Sequence, residues 1–216
     1  PLAKLPKKIS DFNKAALENL QTGNRLSEFG WPQTPEKCSW AYHSQKMMDY
    51  HDNEWGVPCH DDQALFERLT LETMQAGLSW ATILNKRENF REAFDNFDIQ
   101  MVAKYDEAKV QSLLQNEGII RNQLKIRAAI ANANAILAIQ EKYGSFDAFC
   151  WSFVDHKPII NEYTSMAEVP AFTPLAEKFR NALLKKGFKF VGPTIVYSFM
   201  QSVGMVNDHL TTCPCK

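Results

Sequence analysis

The sequence predicts an all-α fold. Apolar residues recur at helical spacing along the chain, the strict alternation of a half-buried strand is missing, and capping residues and glycines fall where helices should begin and end. Residues 11–21 suit a short helix, and the Gly-, Pro- and polar-rich stretch Thr22 to Lys37 reads as a linker. The expected organisation is therefore an N-terminal extension, 1–37, ahead of a helical domain, 38–216. In that domain Asp61 or Asp62 caps a helix running to about Ala76, Gly77 stops it, and Ser79 caps the next through about Asn96. Helices over Asp106 to Glu117, Arg121 to Tyr143 and Ser145 to Val154 are separated by Gly118 and Gly144. Thr173 and Pro174 form an N-cap and first-turn pair for a helix ending at Gly187, and an apolar helix covers Thr194 to Val203.

Composition narrows the class further. The chain has 216 residues, of which 45% are apolar and 23% charged, as in an ordinary folded protein with a sizeable core. Lysine and arginine number 24 against 25 acids, so no global field draws the chain to nucleic acid or to an anionic membrane; such binding must come from local clusters. No run of about 18 apolar residues is present, which predicts no membrane span. The lysines near the start have no apolar stretch behind them, so a secretory signal is not expected. Five cysteines, an odd count in a chain too large to need disulfide staples, favour thiols or a metal in a reducing cytoplasm. A monomer is the expected state.

Three constellations carry possible chemistry. Between the last two helices lies Gly187-Phe188-Lys189-Phe190-Val191-Gly192-Pro193, a tight hairpin. From Lys178 to Asn207 there are five basic residues, at 178, 180, 185, 186 and 189, and no acid. A glycine-closed turn opening a helix exposes backbone N–H groups beside the positive end of the helix dipole, a seat for a phosphate; a merely solvated hairpin is the bland alternative. Second, Cys38 and His51 at one end of the domain and His209 and Cys213 at the other supply two sulfurs and two nitrogens. Together they could close a tetrahedral zinc site that ties the ends together; otherwise they are free thiols and surface histidines, with Cys215 and the pair Cys59-His60 as decoys. Third, Trp40, Tyr50, Trp55 and Trp80 fall close together in sequence near Glu72, which sits on a helix with a Leu65, Leu69, Met74 stripe. The choice is between ordinary core aromatics and a stacking pocket with a carboxylate.

The runs Asp49 to Pro58 (DYHDNEWGVP), Leu71 to Trp80 (LETMQAGLSW), Gly187 to Gly192 (GFKFVG), Tyr197 to Gln201 (YSFMQ) and Val206 to His209 (VNDH) closely resemble bacterial DNA-3-methyladenine glycosylase I, over about Cys38 to Cys213. The resemblance implies a helix-hairpin-helix DNA glycosylase. Its structural zinc would be bound by Cys38, His51, His209 and Cys213. It would flip a damaged purine from duplex DNA into a pocket where Glu72 bonds the purine edge and Trp40, Tyr50 and Trp80 sandwich it, with Trp55 at the rim. Leu78 matches the residue that intrudes into the duplex, and Lys185, Lys186, Phe188, Lys189, Val191 and Gly192 fall on the DNA-gripping hairpin. Met47 departs from the family, which places a tyrosine there.

The implied reaction is hydrolysis of the N-glycosidic bond of 3-methyladenine, leaving an abasic site and the free base. In the wider superfamily a catalytic aspartate stands where this chain has Asn207, and strand-cleaving members carry a lysine where this chain has Thr194. The resemblance therefore implies a monofunctional enzyme of narrow lesion range, with Glu72 and Asn207 as catalytic groups. A DNA-lesion-binding relative with little catalysis is the alternative.

Overall fold

The computed structural model describes residues 37–216; the expected helix at 11–21 and its linker lie outside the described residues. After a short 3-10 turn at Ser39–His43, nine α-helices follow. They are α1 (Gln45–Asn53), α2 (Asp62–Gln75), α3 (Trp80–Ala93), α4 (Ile99–Val102), α5 (Glu107–Gln115), α6 (Gln123–Tyr143), α7 (Phe146–Trp151), α8 (Pro174–Lys185) and α9 (Pro193–Ser202). None of them is long and apolar enough to cross a membrane.

The starts of these helices follow side-chain chemistry. Asp61, Ser79, Asp106, Ser145 and Thr173 each accept the N–H three residues on, relieving one orphan donor of a first turn. The ends are shorter than the sequence predicts. Helix α3 stops at Ala93 because Asp95, Asn96 and Phe97 take positive φ in a 3-10 turn, and α7 passes into a 3-10 turn after Trp151. Helix α1 is an element the sequence reading did not anticipate. Ser44 caps it, and its inward residues, Met47, Tyr50 and His51, share one face at i, i+3 and i+4.

Two apolar clusters organise the molecule. The larger contains Leu65, Phe66 and Leu69 of α2, Ile136 of α6 and Phe199 of α9, all fully buried. Phe188 of the hairpin also belongs to it, stacked on Phe146 with centroids 5.8 Å apart. The smaller gathers Cys38, Met47, Tyr50, Trp55, Leu84 and Cys213 around the two ends of the described chain. Helix α9 packs against both α8 and α2. Beyond α9 the two-residue strand Val206–Asn207 (β2) pairs in parallel with Ile159–Ile160 (β1), which lies between α7 and α8, in register Ile159 to Val206 and Ile160 to Asn207. This pairing leads the chain after α9 to His209, whose Nδ1 lies 3.7 Å from the Sγ of Cys38, 171 positions earlier.

Candidate active site

Helix α1 serves two neighbouring sites from a single face: Tyr50 enters a cavity while His51 turns to the chain ends. The nitrogen and sulfur atoms of Cys38, His51, His209 and Cys213 lie within 4.8 Å of one another, and all four residues are buried. The hydrogen bonds fix both imidazole tautomers. His209 Nε2 lies 2.8 Å from the carbonyl of Trp55, an acceptor only, so it carries the proton and leaves Nδ1 bare toward Cys213 Sγ at 3.4 Å and Cys38 Sγ at 3.7 Å. His51 donates Nδ1–H to Asp52 at 2.8 Å and leaves Nε2 bare toward Cys213 Sγ at 3.5 Å. Two bare nitrogens and two thiols, each imidazole held from behind by an acceptor, are a donor set that fits zinc. Burial pushes the Cys38 thiol up to about 12 and the His209 imidazole down to about 4. Gly56 makes the cluster possible: at φ +77° its missing Cβ would stand 3.0 Å from the His209 ring.

Beside the cluster opens a cavity of about 400 Å³, walled by Trp40, Met47, Tyr50, Trp55, Glu72 and Trp80 together with Met166, Val169, Pro170, Ala171, Thr194, Tyr197 and Gln201. Trp55 joins the two sites, since its ring packs edge-on against His209 at 4.6 Å and against Trp40 at 5.1 Å. Glu72 is 4% exposed and its carboxylate makes no hydrogen bond among the described residues. Burial alone raises it from 4.5 to about 8. The indole N–H of Trp80 is likewise buried without an acceptor.

The structure corrects several expectations. Tyr50 and Trp80 leave no room for a base between the two of them, because their centroids are 5.1 Å apart at 54° and an inserted ring needs about 7 Å, two van der Waals contacts. Trp40 lies on the other side of Tyr50, its centroid 6.2 Å away and its plane tilted by 50°. Asn207 is not part of the cavity wall. Its Oδ1 accepts the N–H of His209 at 3.1 Å, so it shapes the turn that presents a cluster residue. Its neighbour Asp208, which the sequence does not single out, is fully buried and accepts from Asn161 at 2.7 Å, Tyr197 at 2.6 Å and Gln201 at 2.8 Å. Asp208 thereby orients two residues of the cavity wall. The available signal was its place in the short polar run Asn207-Asp208-His209 after the apolar stretch that ends at Val206. Position 47 faces the cavity, so the methionine there changes its lining.

The hairpin runs from Gly187, at φ +94°, to Gly192, the N-cap of α9. Phe188 and Val191 are buried, so only their backbones can meet a ligand; the exposed aromatic is Phe190. Lys185 and Lys189 are exposed, whereas Lys186 donates to the Tyr143 hydroxyl at 2.8 Å. Leu78, 41% exposed, projects from the turn after α2. Cys59 is half-buried, and His60 Nδ1 lies 2.8 Å from the Asp147 carboxylate.

Known proteins share this architecture. A family model described as methyladenine glycosylase matches residues 40–216. A DNA-3-methyladenine glycosylase of Haemophilus influenzae is 47% identical over 180 residues, covering 83% of this chain and 97% of that protein. DNA-3-methyladenine glycosylase 1 of Escherichia coli is 48% identical over the same length, covering 83% and 96%. A crystal structure of 3-methyladenine DNA glycosylase I superposes with a TM-score of 0.81 at 51% identity, covering 83% of this chain and 98% of that one. The Staphylococcus aureus enzyme, whose structure addresses 3-methyladenine recognition, gives 0.80 at 36% identity, covering 83% and 95%. With matches this extensive over the whole helical unit, the chain belongs to the methyladenine glycosylase family.

Proposed function

We propose that the chain hydrolyses the N-glycosidic bond of 3-methyladenine in double-stranded DNA, releasing the base and leaving an abasic site. The observation that carries this reading is Glu72: a carboxylate enclosed by aromatic rings, with no donor among the described residues, in a cavity large enough to admit a purine. Methylation at N3 makes the base cationic. An ionised Glu72 compensates that charge and accepts N–H groups of the purine edge, while the ring wall of Trp40, Tyr50 and Trp80 supplies cation–π attraction. Water adds its oxygen to the sugar C1′, the base departs with the bonding electrons as a neutral molecule, and the water's proton passes to solvent. Because the leaving group is already activated, the protein need only flip, hold and desolvate it.

Helix α8, the hairpin and α9 act as a helix-hairpin-helix unit in this reading. The backbone around Phe188 to Gly192 grips phosphate, with Lys189 adding charge, and Leu78 fills the gap left by the flipped base. Cys38, His51, His209 and Cys213 would hold zinc, which with four protein ligands has no open position for water and supplies cross-linking of the chain ends. Thr194 stands on the cavity wall without an amine, so no Schiff base forms. The test uses duplexes bearing one hypoxanthine or one ethenoadenine, with and without borohydride. No release and no trapped complex is the expected result. Efficient release of either base, or a covalent adduct, would contradict a monofunctional enzyme of narrow range.

A further inference from the structure

Helix α6 contributes nothing to the cavity wall, yet it sends two polar side chains, two turns apart on one face, to the two segments read above as DNA contacts. Lys125 is 5% exposed, and its ammonium donates to the carbonyls of Met74 at 2.8 Å and Ala76 at 2.7 Å. No carboxylate pairs with it among the described residues. The same ammonium lies 5.9 Å from the ring of Phe190, the hairpin residue held at φ +58° and exposed. One turn-pair along the helix, the amide of Asn132 spans the backbone of Lys189 in both directions: Oδ1 accepts its N–H at 2.7 Å and Nδ2 donates to its carbonyl at 3.2 Å.

A buried cation without an anion is costly, and a methionine would fill the same volume without that cost. What the charge achieves is directional. The carbonyls at the end of α2, where the helix dipole is negative, and the face of an aromatic ring are the two kinds of neutral group that attract an ammonium. Here the first belongs to the segment leading into Gly77 and Leu78, and the second to the hairpin tip. Gly77, at φ +81°, lets that segment turn, and the N–H of Leu78 closes the turn on the Gln75 carbonyl at 2.6 Å; the Lys125 ammonium adds an anchor from α6 to the same turn.

We propose that Lys125 is a positioning residue, which with Asn132 clamps the Leu78 turn and the hairpin in one register so that insertion into the duplex and grip of its backbone occur together. The proposal rests on the reading of Leu78 and the hairpin as DNA contacts. It is tested with Lys125→Met, which keeps the stem and removes the ammonium. Excision of 3-methyladenine from duplex DNA is expected to fall at least about tenfold, as for lost hydrogen bonds to a charged group. Affinity for free 3-methyladenine, read by quenching of tryptophan fluorescence, is expected to be unchanged. In a Leu78→Ala background the same substitution should add little, because both changes disable one step. Should the methionine variant fail to accumulate as folded protein, Lys125→Gln, with one donor retained, carries the same measurements. Equal losses of free-base affinity and excision, or no loss, would overturn the clamp. So would a deep loss in Leu78→Ala with a fully additive loss from Lys125→Met. Unchanged excision by Leu78→Ala alone would instead overturn the reading of Leu78, and the clamp with it.

Discussion

A carboxylate enclosed by tryptophan and methionine, with no protein donor to hold it, ionises only at a cost, and for Glu72 that cost appears as a rise from 4.5 to about 8. The sign has consequences for both stability and catalysis. A folded value above the unfolded one stabilises fully below pH 4.5 and loses that contribution as pH rises through about 8. Glu72→Gln should therefore match wild type in acid, melt progressively higher than it between about pH 4.5 and about 8, and keep that margin above, measured as thermal unfolding against pH. For a cationic lesion the ionised form is the competent one. Thus kcat/KM, which reports the free enzyme, should rise with pH toward a plateau above about 8, and the step should vanish in Glu72→Gln. A step retained in that variant would assign the titration to another group.

At the scale of elements, the helices α2, α3 and α8 were legible because Asp61, Ser79 and Thr173 announce their first turns in side-chain chemistry. Helix α1 was not, because QKMMDYHDN reads as polar and only tertiary placement shows that Met47, Tyr50 and His51 form an inward face. The strand pair was invisible for a simpler reason, being two residues long on each side. In the site, residue types that are costly to bury for nothing were legible: thiols with histidines, tryptophans beside a glutamate. Asp208 and Asn207 exchanged their expected importance because both are buried in one short polar run, and sequence alone does not say which partners each side chain meets. The hairpin makes its own prediction. Lys189 is exposed while its backbone is held by Asn132, so Lys189→Glu should weaken binding to any duplex and lower the salt slope by about one, with the fold unchanged. Binding as tight as wild type at low salt would place the DNA elsewhere.

Across the whole molecule, the donor cluster and the cavity share a wall. Trp55 gives its carbonyl to His209 and its ring to Trp40, so whatever ties the chain ends also holds the aromatic face. Cys38→Ala should lose bound zinc and lower the melting temperature by on the order of 10 °C, from ~3 kcal/mol of linked stability at roughly 2–4 °C per kcal/mol. It should weaken free-base affinity as well, read by fluorescence quenching in parallel with metal analysis. Unchanged metal content and melting temperature would remove zinc from the account.

The central claim, that this cavity receives a cationic purine and releases it from DNA, is tested most directly by incubating the protein with dimethyl-sulfate-treated duplex DNA and identifying the freed bases by chromatography. Free 3-methyladenine should accumulate while the far more abundant 7-methylguanine stays in the polymer, and strand breaks should appear only after alkali. Binding to the alkylated duplex with no base released would instead identify a lesion-binding relative, and release of 7-methylguanine in proportion to its abundance would deny the cavity its selectivity.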